Sequence, residues 1–418
     1  MAVTWKIKQK MKLSFPKEKI KVVLFESIHP NAVETFKRAG YTNVELLDRA
    51  YSEDELIEKL QDVRIIGIRS KTKITKRVLE NAPVLQAIGC FCIGTNQVDL
   101  VTAAEKGVAV FNSPYSNTRS VAELVIAEVV FLMRGLHEKS INAHKGIWLK
   151  IAKNAYEVRG KTLGIIGYGH IGSQVSVLAE AMGMQVIFYD IVPKLPMGNA
   201  RVVQTLDELL AESDVVSLHV PGTPATKEMI GAAELAKMKK GAGLINLSRG
   251  NVIVIEDLKA ALESKHLRGA ALDVFPFEPK KKGGTFTSPL QGMDNVILSP
   301  HIGGSTEEAQ ANIGIDAAQK LHNYMDSGST IGSHSIPELH LPAQKDTHRI
   351  LHIHENVPGI LTKINQTVSS MNLNIAGQFL TTNEQIGYVV IDVKQNFSKE
   401  LIDKLKHIPH TIRTRRIF

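Results

Sequence analysis

Cysteine is scarce in this chain: only two of the 418 residues, Cys90 and Cys92, both in the stretch GCFCIG. So few cysteines exclude a fold held together by disulfides, and no CxxC pair or cysteine–histidine spacing indicates a zinc site. At alternate positions of a strand the two thiols share one face, where small apolar side chains are expected to be buried. We therefore predict a protein of the reducing cytoplasm with no metal centre.

Long apolar runs are missing as well. No stretch approaches the ~20 apolar residues that cross a bilayer. The lysine-rich start, MAVTWKIKQKMKLSFPKEKIK, lacks the continuous apolar segment of a secretory signal. Aromatic residues make up only 6%, and the basic residues behind the net charge of +8 are scattered. We expect neither a membrane nor a nucleic acid as partner, whereas a basic balance suits an enzyme that handles small anions.

Short apolar runs alternate with amphipathic segments from residue 20 to about 115, and a glycine-richer series of the same kind runs from 162 to about 303. This alternation predicts an α/β protein with two doubly wound, Rossmann-like parallel sheets. The stretch SGSTIGSHSIPELHLPAQKD then has the composition of a linker. The remaining residues follow the order βαββαβ, which is typical of a ferredoxin-like domain.

Two helix starts are predicted from Ser-x-x-Glu patterns, which form capping boxes. One is Ser120 with Glu123, before the strongly apolar ELVIAEVVFLMRGLHE, and the other is Ser305 with Glu308. We expect the first helix to cross between domains or to form a subunit contact.

A glycine motif follows the apolar strand LGII and precedes an amphipathic helix. It has the spacing G-x-G-x-x-G, with the glycines at Gly167, Gly169 and Gly172. The first glycine permits a tight turn, the second lets the backbone approach a pyrophosphate, and the third lets the helix lie close to the strand. We expect the amides of His170 and Ile171, at the helix N-terminus, to face the phosphates. The motif in this context predicts a dinucleotide site.

The next strand, MQVIFYD, ends at Asp190. A carboxylate at this place binds the ribose hydroxyls and repels a 2′-phosphate. The sequence therefore favours NAD over NADP.

Three strand ends downstream carry polar groups: Arg249 in LINLSRGNV, Asp273 and Glu278 in ALDVFPFEP, and His301 in VILSPHIGG. Parallel sheets gather such groups at the carboxyl ends of their strands. His301 is the predicted base for the hydroxyl proton of a 2-hydroxy acid, and Glu278 is expected to hold its other ring nitrogen and raise its basicity. Arg249 is expected to bind the carboxylate or the developing carbonyl through its planar guanidinium.

Taken together, eight stretches resemble the D-isomer-specific 2-hydroxyacid dehydrogenases, and among them the short bacterial phosphoglycerate dehydrogenases with a C-terminal ACT regulatory domain. They are GCFCIGTNQVDL, SNTRSVAELVI, LGIIGYGHIGSQV, SLHVPGTPATK, INLSRG, DVFPFEP, SPHIGGSTEEAQ and HIHENVPGIL. The resemblance implies NAD-dependent oxidation of 3-phosphoglycerate to 3-phosphohydroxypyruvate, the first step of L-serine synthesis, with feedback inhibition by L-serine.

The resemblance also implies where the domains and sites lie. A substrate-binding domain would comprise residues 1–116 and 304–345, the NAD-binding domain 117–303, and the ACT domain 346–418.

The catalytic set implied by the resemblance would be Arg249, Glu278 and His301. Further cofactor contacts would be His219, Leu247, Ser248, Asp273, Gly303 and Gly304, with Asp273 near the carboxamide. The substrate would contact Arg69, Ser70, Lys71, Gly94 and Asn117, with Lys150 contributed by a neighbouring subunit of a homo-oligomer, expected to be a tetramer. The serine site would comprise His354, Asn356 and Gly359 of one chain and Asn374 of another.

Two departures from the family pattern have expected consequences. Lys71 stands where relatives carry a second arginine, so we expect phosphate binding with weaker discrimination against unphosphorylated acids. The stretch AQKDTH replaces a Gly-Gly hinge before the ACT domain, and a stiffer hinge is expected to weaken serine inhibition. Two alternatives stay open: action on another acid, such as 2-hydroxyglutarate or 2-oxoglutarate, and an NAD-sensing scaffold that resembles a corepressor.

Overall fold

The computed structural model describes residues 15–279, 283–342, 347–394 and 399–417. The chain divides into two compact units, one of residues 1–116 with 310–418 and one of residues 117–309.

The strands of the described residues are numbered in chain order. They are β1 Val22–Leu24, β2 Val44–Leu46, β3 Ile65–Ile68, β4 Ala87–Cys90, β5 Ala109–Asn112, β6 Thr162–Ile166, β7 Gln185–Tyr189, β8 Arg201–Val202, β9 Val215–Leu218, β10 Ala242–Asn246, β11 Leu267–Leu272, β12 Val296–Leu298, β13 His348–Glu355, β14 Ile375–Thr382, β15 Ile386–Val393 and β16 Thr411–Ile417.

The helices lie between these strands, as expected of an α/β chain. They are α1 Asn31–Arg38, α2 Glu53–Lys59, α3 Lys76–Glu80, α4 Leu100–Glu105, α5 Thr118–Arg134, α6 Leu136–His144, α7 His170–Ala181, α8 Leu206–Glu212, α9 Ala232–Lys237, α10 Ile255–Glu263, α11 Glu307–Ser327, α12 Ile360–Ser370 and α13 Lys399–Lys406. Short 3-10 helices lie at Lys17–Lys19 and Gly250–Val252. Among the described residues, no helix has the length and apolar character that a membrane crossing needs.

Residues 117–309 form a parallel sheet in the order β12-β11-β10-β9-β6-β7-β8. Within this unit the first strand, β6, is central. The chain then moves outward through β7 and β8 and returns to β9 on the other side of β6. This reversal creates a crevice at the carboxyl ends of β6 and β9, where α/β sheets bind ligands. The central strands are almost entirely buried, which explains their continuous apolar runs.

The other unit contains a parallel sheet, β2-β1-β3-β4-β5, and an antiparallel sheet, β14-β15-β13-β16. The second sheet, with α12 and α13, forms a ferredoxin-like βαββαβ domain. Leu351 of β13 and Tyr388 of β15 belong to the same buried cluster as Phe111 and Tyr324. The predicted α/β class, with two parallel sheets and a C-terminal βαββαβ domain, is confirmed.

The predicted linker is a packed segment over its described part. Ser333 pairs with Phe111 of β5, and the hydroxyl of Ser335 donates to the carbonyl of Val108 at 2.7 Å. Thr330 and Ser335 are buried. The interpretation as a linker is therefore wrong for residues 328–342, because their polar side chains are used in close backbone contacts. Residues 343–346, in the altered hinge, lie outside the described residues.

Both predicted capping boxes are misplaced. Helix α5 begins at Thr118, so Ser120 lies inside its first turn and shares a hydrogen bond of 2.8 Å with the hydroxyl of Thr306. Glu123 forms an ion pair with Arg119, one helical turn earlier, at 2.6 Å. Pairs at this spacing also stabilise helix interiors. At α11 the hydroxyl of Thr306, not that of Ser305, accepts a hydrogen bond from the amide of Ala309 at 3.1 Å, so the predicted box of Ser305 and Glu308 is also wrong.

Candidate active site

The glycine turn joins β6 to α7 at the crevice. Gly167 has φ +91°, and a Cβ there would lie 2.5 Å from the carbonyl oxygen of His219. A Cβ on Gly172 would lie 2.3 Å from the carbonyl oxygen of Gly167, so the helix can approach the strand only through glycine. A Cβ on Gly169 would meet nothing within 4 Å. The protein itself does not require glycine at 169, which fits a cradle kept open for a pyrophosphate.

Helix α7 starts at His170, followed by Ile171, and the N–H groups of a first helical turn have no acceptors within the helix. Asp190 follows β7 beside the turn. One of its carboxylate oxygens accepts from the amide of Tyr168 at 2.8 Å and the other from that of Val192 at 2.9 Å. A carboxylate oxygen can accept more than one hydrogen bond, so both can still bind a ribose hydroxyl. The turn, the helix and the carboxylate together fit a dinucleotide without a 2′-phosphate.

His219 follows β9 on the other side of the crevice. Its Nε2 is 2.9 Å from the hydroxyl oxygen of Ser217, and burial lowers its pKa to about 4. The ring is therefore neutral at physiological pH and offers hydrogen-bonding groups without charge.

Arg249 lies in the turn that leaves β10, and Asn246 at the end of that strand holds the turn. The side-chain oxygen of Asn246 accepts from the amide of Ser248 at 3.0 Å and from its hydroxyl at 2.8 Å. The side-chain nitrogen of Asn246 donates to the carbonyl of Arg249 at 3.0 Å. Arg249 itself is exposed, and one guanidinium nitrogen donates to the carbonyl of Ser248 at 2.7 Å. The rest of the guanidinium is available for an anion.

His301 and Glu278 meet although they follow different strands. Nδ1 of His301 is 2.8 Å from a carboxylate oxygen of Glu278. The other oxygen of Glu278 accepts from the amide of Phe275 at 3.1 Å, which fixes the carboxylate. An ionised Glu278 makes Nδ1 the protonated nitrogen, so Nε2 is left as the basic one. This is the pairing that the sequence predicts.

The three charges act on one another. The hydrogen bond to Glu278 raises the pKa of His301, although partial burial and the charge of Arg249 oppose the shift. Partial burial favours the neutral form of Glu278, but the hydrogen bond from His301, with the charges of His301 and Arg249, lowers its pKa. At physiological pH the site therefore holds an ionised carboxylate and an imidazole more basic than a free one.

Asp273 is buried behind the loop that carries His301. Its carboxylate accepts three hydrogen bonds, from the hydroxyl of Ser299 at 2.6 Å, the amide of Ile302 at 2.8 Å and the amide of Gly303 at 2.7 Å. These donors flank His301 on both sides. Asp273 thus fixes the loop in the position that brings the imidazole to Glu278.

The two glycines after Ile302 leave room for two side chains that the sequence predicts to bind cofactor or substrate, Leu247 and Asn117. A Cβ on Gly303 would lie 3.3 Å from a methyl carbon of Leu247, and one on Gly304 would lie 2.2 Å from the side-chain nitrogen of Asn117. Asn117 is buried, and its side-chain oxygen has no hydrogen-bond partner among the described residues. An orphaned acceptor at this place is suited to a ligand that donates a hydrogen bond.

Comparison with known proteins agrees with this geometry. Residues 126–303 match the family described as D-isomer specific 2-hydroxyacid dehydrogenase, NAD binding domain, and residues 350–413 match an AHAS small subunit-like ACT domain. The chain is 54% identical over 407 residues to a D-3-phosphoglycerate dehydrogenase of Haemophilus influenzae, an alignment that covers 97% of this chain and 99% of the relative. The chain belongs to the D-3-phosphoglycerate dehydrogenase family.

Two further relatives agree. A D-3-phosphoglycerate dehydrogenase of Escherichia coli is 53% identical, with 97% of this chain and 100% of the relative covered. The solved structure of a D-lactate dehydrogenase from Aquifex aeolicus, complexed with NAD and lactic acid, matches with a TM-score of 0.63 at 29% identity, covering 76% of this chain and 100% of the other. This member of the D-3-phosphoglycerate dehydrogenase family is an oxidoreductase, and its cofactor is NAD.

The residues predicted to bind substrate in the first unit lie in two loops. Arg69, Ser70 and Lys71 follow β3, and Gly94 follows β4. The side chains of Arg69 and Lys71 make no hydrogen bond or ion pair with another described residue. Lys150 is exposed in the segment after α6.

The residues predicted to bind serine lie in the βαββαβ domain. His354 is buried, its Nδ1 is 3.1 Å from the carbonyl oxygen of Glu355, and its Nε2 has no partner among the described residues. The side chain of Asn356 donates to the carbonyl of Asn383 at 2.7 Å. Gly359, with φ +86°, directly precedes α12, and Asn374 is exposed just before β14.

Two polar residues of the NAD-binding unit are not identified by the sequence patterns. Asn246 is one, although a polar residue that ends the apolar strand GLIN is a detectable signal. Glu128 in α5 is the other, although it is the acidic residue inside LVIAEVVFLM. It is buried, burial and then the charge of Asp273 raise its pKa to about 8, and one of its oxygens has no partner among the described residues.

Proposed function

We propose that this chain oxidises 3-phosphoglycerate to 3-phosphohydroxypyruvate with NAD, the first step of L-serine synthesis, under feedback inhibition by L-serine. The observation that carries the chemistry is the contact of 2.8 Å between His301 and Glu278, with Arg249 acting on both. The Haemophilus influenzae and Escherichia coli relatives are both named D-3-phosphoglycerate dehydrogenase, which supports 3-phosphoglycerate as the substrate. Two free cysteines support a reducing, cytoplasmic setting.

The catalytic roles follow from the geometry. Nε2 of His301 accepts the proton of the C2 hydroxyl, while Glu278 holds Nδ1–H and stabilises the imidazolium that forms. Arg249 binds the substrate carboxylate through its guanidinium, which orients C2. Bound NAD supplies the acceptor for the hydride that leaves C2.

Cofactor binding is assigned to the crevice at the carboxyl ends of β6 and β9. The pyrophosphate would lie at the turn of Gly167, Gly169 and Gly172 and the amides of His170 and Ile171, with Asp190 on a ribose. His219, Leu247, Ser248, Gly303 and Gly304 would line the nicotinamide end. Asp273 is expected near the carboxamide, and its three hydrogen bonds to the His301 loop give it a positioning role as well.

The substrate's phosphate carries a charge of about −1.5 to −2. We assign Arg69, Ser70, Lys71 and Gly94 to its binding, and Asn117 to the polar groups near C2. Lysine at position 71 is a point charge without a fork, so discrimination against unphosphorylated acids is expected to depend chiefly on Arg69.

Regulation is assigned to the βαββαβ domain, residues 346–418. Strand β14 lies at the edge of its sheet, and exposed and half-buried residues alternate along it. An edge strand of this kind suits pairing with the same domain of a second chain. L-serine would bind at this contact through His354, Asn356 and Gly359 of one chain and Asn374 of the other.

A homo-oligomer, as a tetramer, is part of the proposal. The segment after α6 exposes Ile147, Trp148 and Ile151, whose exposed fractions are 47%, 84% and 57%. Exposed apolar residues this close together mark a protein interface. Pairing through this segment would bring Lys150 to a neighbouring subunit.

The test is NADH formation with 3-phosphoglycerate, 2-hydroxyglutarate and D-lactate, each with and without L-serine. We expect turnover chiefly of 3-phosphoglycerate, slowed by serine. Preference for 2-hydroxyglutarate would replace the proposed substrate, and no turnover of any acid would leave an NAD-sensing scaffold. Turnover that serine does not change would remove the regulatory part alone.

A further inference from the structure

Glu26 is a buried carboxylate in the first unit, just after β1, and it is not among the residues assigned to bind substrate or cofactor. It is 8% exposed, and its oxygens accept three backbone hydrogen bonds. Oε1 accepts from the amide of Arg69 at 3.1 Å and from that of Thr72 at 2.7 Å. Oε2 accepts from the amide of Lys71 at 3.1 Å. One side chain thus holds the loop of residues 69–72, which we call the anion loop.

No basic side chain of the described residues forms an ion pair with Glu26. Burying a charge without a counter-ion is costly, and amide hydrogen bonds are here what stabilises it. A negative charge beneath a loop assigned to bind an anion also opposes that binding electrostatically. The contribution that Glu26 can make to anion binding is therefore the position of the loop, which its three amide hydrogen bonds fix.

The backbone at Glu26 is strained. Glu26 and Ser27 have φ +62° and +50°, two consecutive left-handed residues without glycine. Residues other than glycine keep this conformation only where their surroundings enforce it. The strained turn places the Glu26 carboxylate under the anion loop.

Gln97 holds the anion loop by its carbonyl side. Its side-chain nitrogen donates to the carbonyl of Arg69 at 3.1 Å and to that of Gly94 at 3.2 Å. Glu26 and Gln97 therefore fix both polar edges of the backbone at Arg69. The amides of Arg69, Lys71 and Thr72 are used by Glu26, which leaves the side chains of the loop as its principal groups for binding an anion.

We propose that Glu26 is a positioning residue for the phosphate group of the substrate: by holding the anion loop, it presents the side chains of Arg69, Ser70 and Lys71 to that group. Gln97 supports the same loop from the carbonyl side. The inference rests on the proposed function, since it takes phosphate to be the anion that this loop binds.

The test compares Glu26→Gln with the wild-type chain on 3-phosphoglycerate and on D-glycerate, which lacks the phosphate. Glutamine fills the same space, but its amide nitrogen cannot accept from Lys71 or from Arg69 and Thr72, whichever oxygen it replaces. We expect KM for 3-phosphoglycerate to rise about tenfold with a smaller change in kcat, the effect of roughly one charge-assisted hydrogen bond. The ratio of kcat/KM for 3-phosphoglycerate to that for D-glycerate should fall, while KM for NAD stays unchanged.

Glu45→Gln is the matched control. Glu45 lies in β2 of the same sheet, but its carboxylate pairs with Lys59 at 2.6 Å and not with the anion loop. This variant should leave the substrate ratio unchanged. Gln97→Met is a second variant, which removes the donor to Arg69 and Gly94 and should also lower the ratio. It keeps the inference testable if Glu26→Gln does not fold.

The outcomes separate this inference from the proposed function. A wild-type chain that does not oxidise 3-phosphoglycerate overturns both. If the wild type oxidises it but Glu26→Gln and Gln97→Met lower turnover of both acids equally, Glu26 is structural only and the positioning role is overturned. An unchanged KM for 3-phosphoglycerate in a folded Glu26→Gln variant overturns it as well.

Discussion

His301 has φ +56°, in the left-handed region that histidine adopts only with some strain. Asp273 stabilises this conformation, because it accepts hydrogen bonds from the two residues that follow His301 and from Ser299 before it. At the scale of single residues, Glu278 is the main cause of the raised pKa of the imidazole, while Asp273 fixes the position of the ring and adds a smaller rise.

Glu278→Gln tests the electrostatic part of this arrangement. The wild-type pKa of His301 is raised by Glu278, and a base must be neutral to accept a proton, so the raised pKa moves the acid limb of activity to higher pH. Glutamine can still accept from Nδ1–H but carries no charge. We expect the acid limb of kcat/KM to shift to lower pH while the maximal rate falls.

The measurement is the pH profile of kcat/KM for both proteins. Glu123→Gln, a carboxylate on the surface of α5, is the control and should leave the profile in place. An acid limb that does not move in Glu278→Gln would mean that His301 is not the titrating base.

Asp273→Asn tests the positional part. Asparagine has one accepting oxygen in place of two, and its amide nitrogen would face N–H and O–H donors. We expect kcat to fall at least about tenfold at every pH, the cost of leaving a buried donor unpaired. Because the charge of Asp273 also raises the pKa of His301, though less than Glu278 does, the acid limb should move to lower pH by less than in Glu278→Gln. Steady-state kinetics across pH distinguish the two, and a normal kcat would contradict the role of Asp273.

At the scale of elements, the glycine turn allows a matched pair of substitutions. Gly169→Ala introduces a Cβ that meets nothing within 4 Å, at a φ of −82° that alanine adopts freely. Gly167→Ala would place a Cβ 2.5 Å from backbone, at φ +91°. We expect Gly169→Ala to unfold at the wild-type temperature but to bind NAD more weakly. Gly167→Ala should unfold at a lower temperature and also bind NAD more weakly.

Thermal unfolding and NAD titration measure the two effects separately. Unchanged NAD affinity in a folded Gly169→Ala protein would contradict the assignment of the cradle to the pyrophosphate.

Helix α5 carries a buried acid that affects stability. The pKa of Glu128 rises from 4.5 to about 8, so between these values the unfolded chain releases a proton that the folded chain keeps. Stability contributed at this position therefore falls as pH rises through that window. Glu128→Gln should be more stable than the wild type at pH 8, by roughly 1–3 kcal/mol, and nearly equal to it at pH 5.

Chemical unfolding at the two pH values checks this, with Glu123→Gln on the same helix as the control. A difference between Glu128→Gln and the wild type that is the same at both pH values would show that Glu128 does not titrate in this range.

These elements also show how far the sequence leads. The strands, the glycine turn and the meeting of His301 with Glu278 are predictable, because apolar runs and strand-end polar groups are local patterns and parallel sheets bring strand ends together. The capping boxes fail because Ser-x-x-Glu also occurs inside helices. The linker fails because Ser335 bonds to Val110 of β5, 225 residues away in the chain. The roles of Asp273 and Glu26 depend on which amides their oxygens reach, which only the folded backbone determines.

At the scale of the whole molecule, the chain combines a dehydrogenase with a C-terminal ACT domain, and its exposed apolar segment predicts assembly. Trp148→Asp places a charge between Ile147 and Ile151, where desolvation would be costly in an interface. We expect this variant to have a lower mass in solution than the wild type.

Light scattering after size-exclusion chromatography measures that mass. Val101→Asp, at an apolar residue of α4 that is 58% exposed, is the control and should assemble as the wild type does. Equal masses for Trp148→Asp and the wild type would place the subunit contact elsewhere.

The proposed reaction as a whole depends on His301 as the base. The most direct measurement is therefore the rate of NADH formation from 3-phosphoglycerate by His301→Ala, alongside the dissociation constant of NAD for the same variant. We predict that kcat falls by about 10²–10⁴-fold, the usual contribution of a general base, while NAD binds as tightly as to the wild type. A variant that turns over at the wild-type rate would contradict this role of His301 and the mechanism built on it.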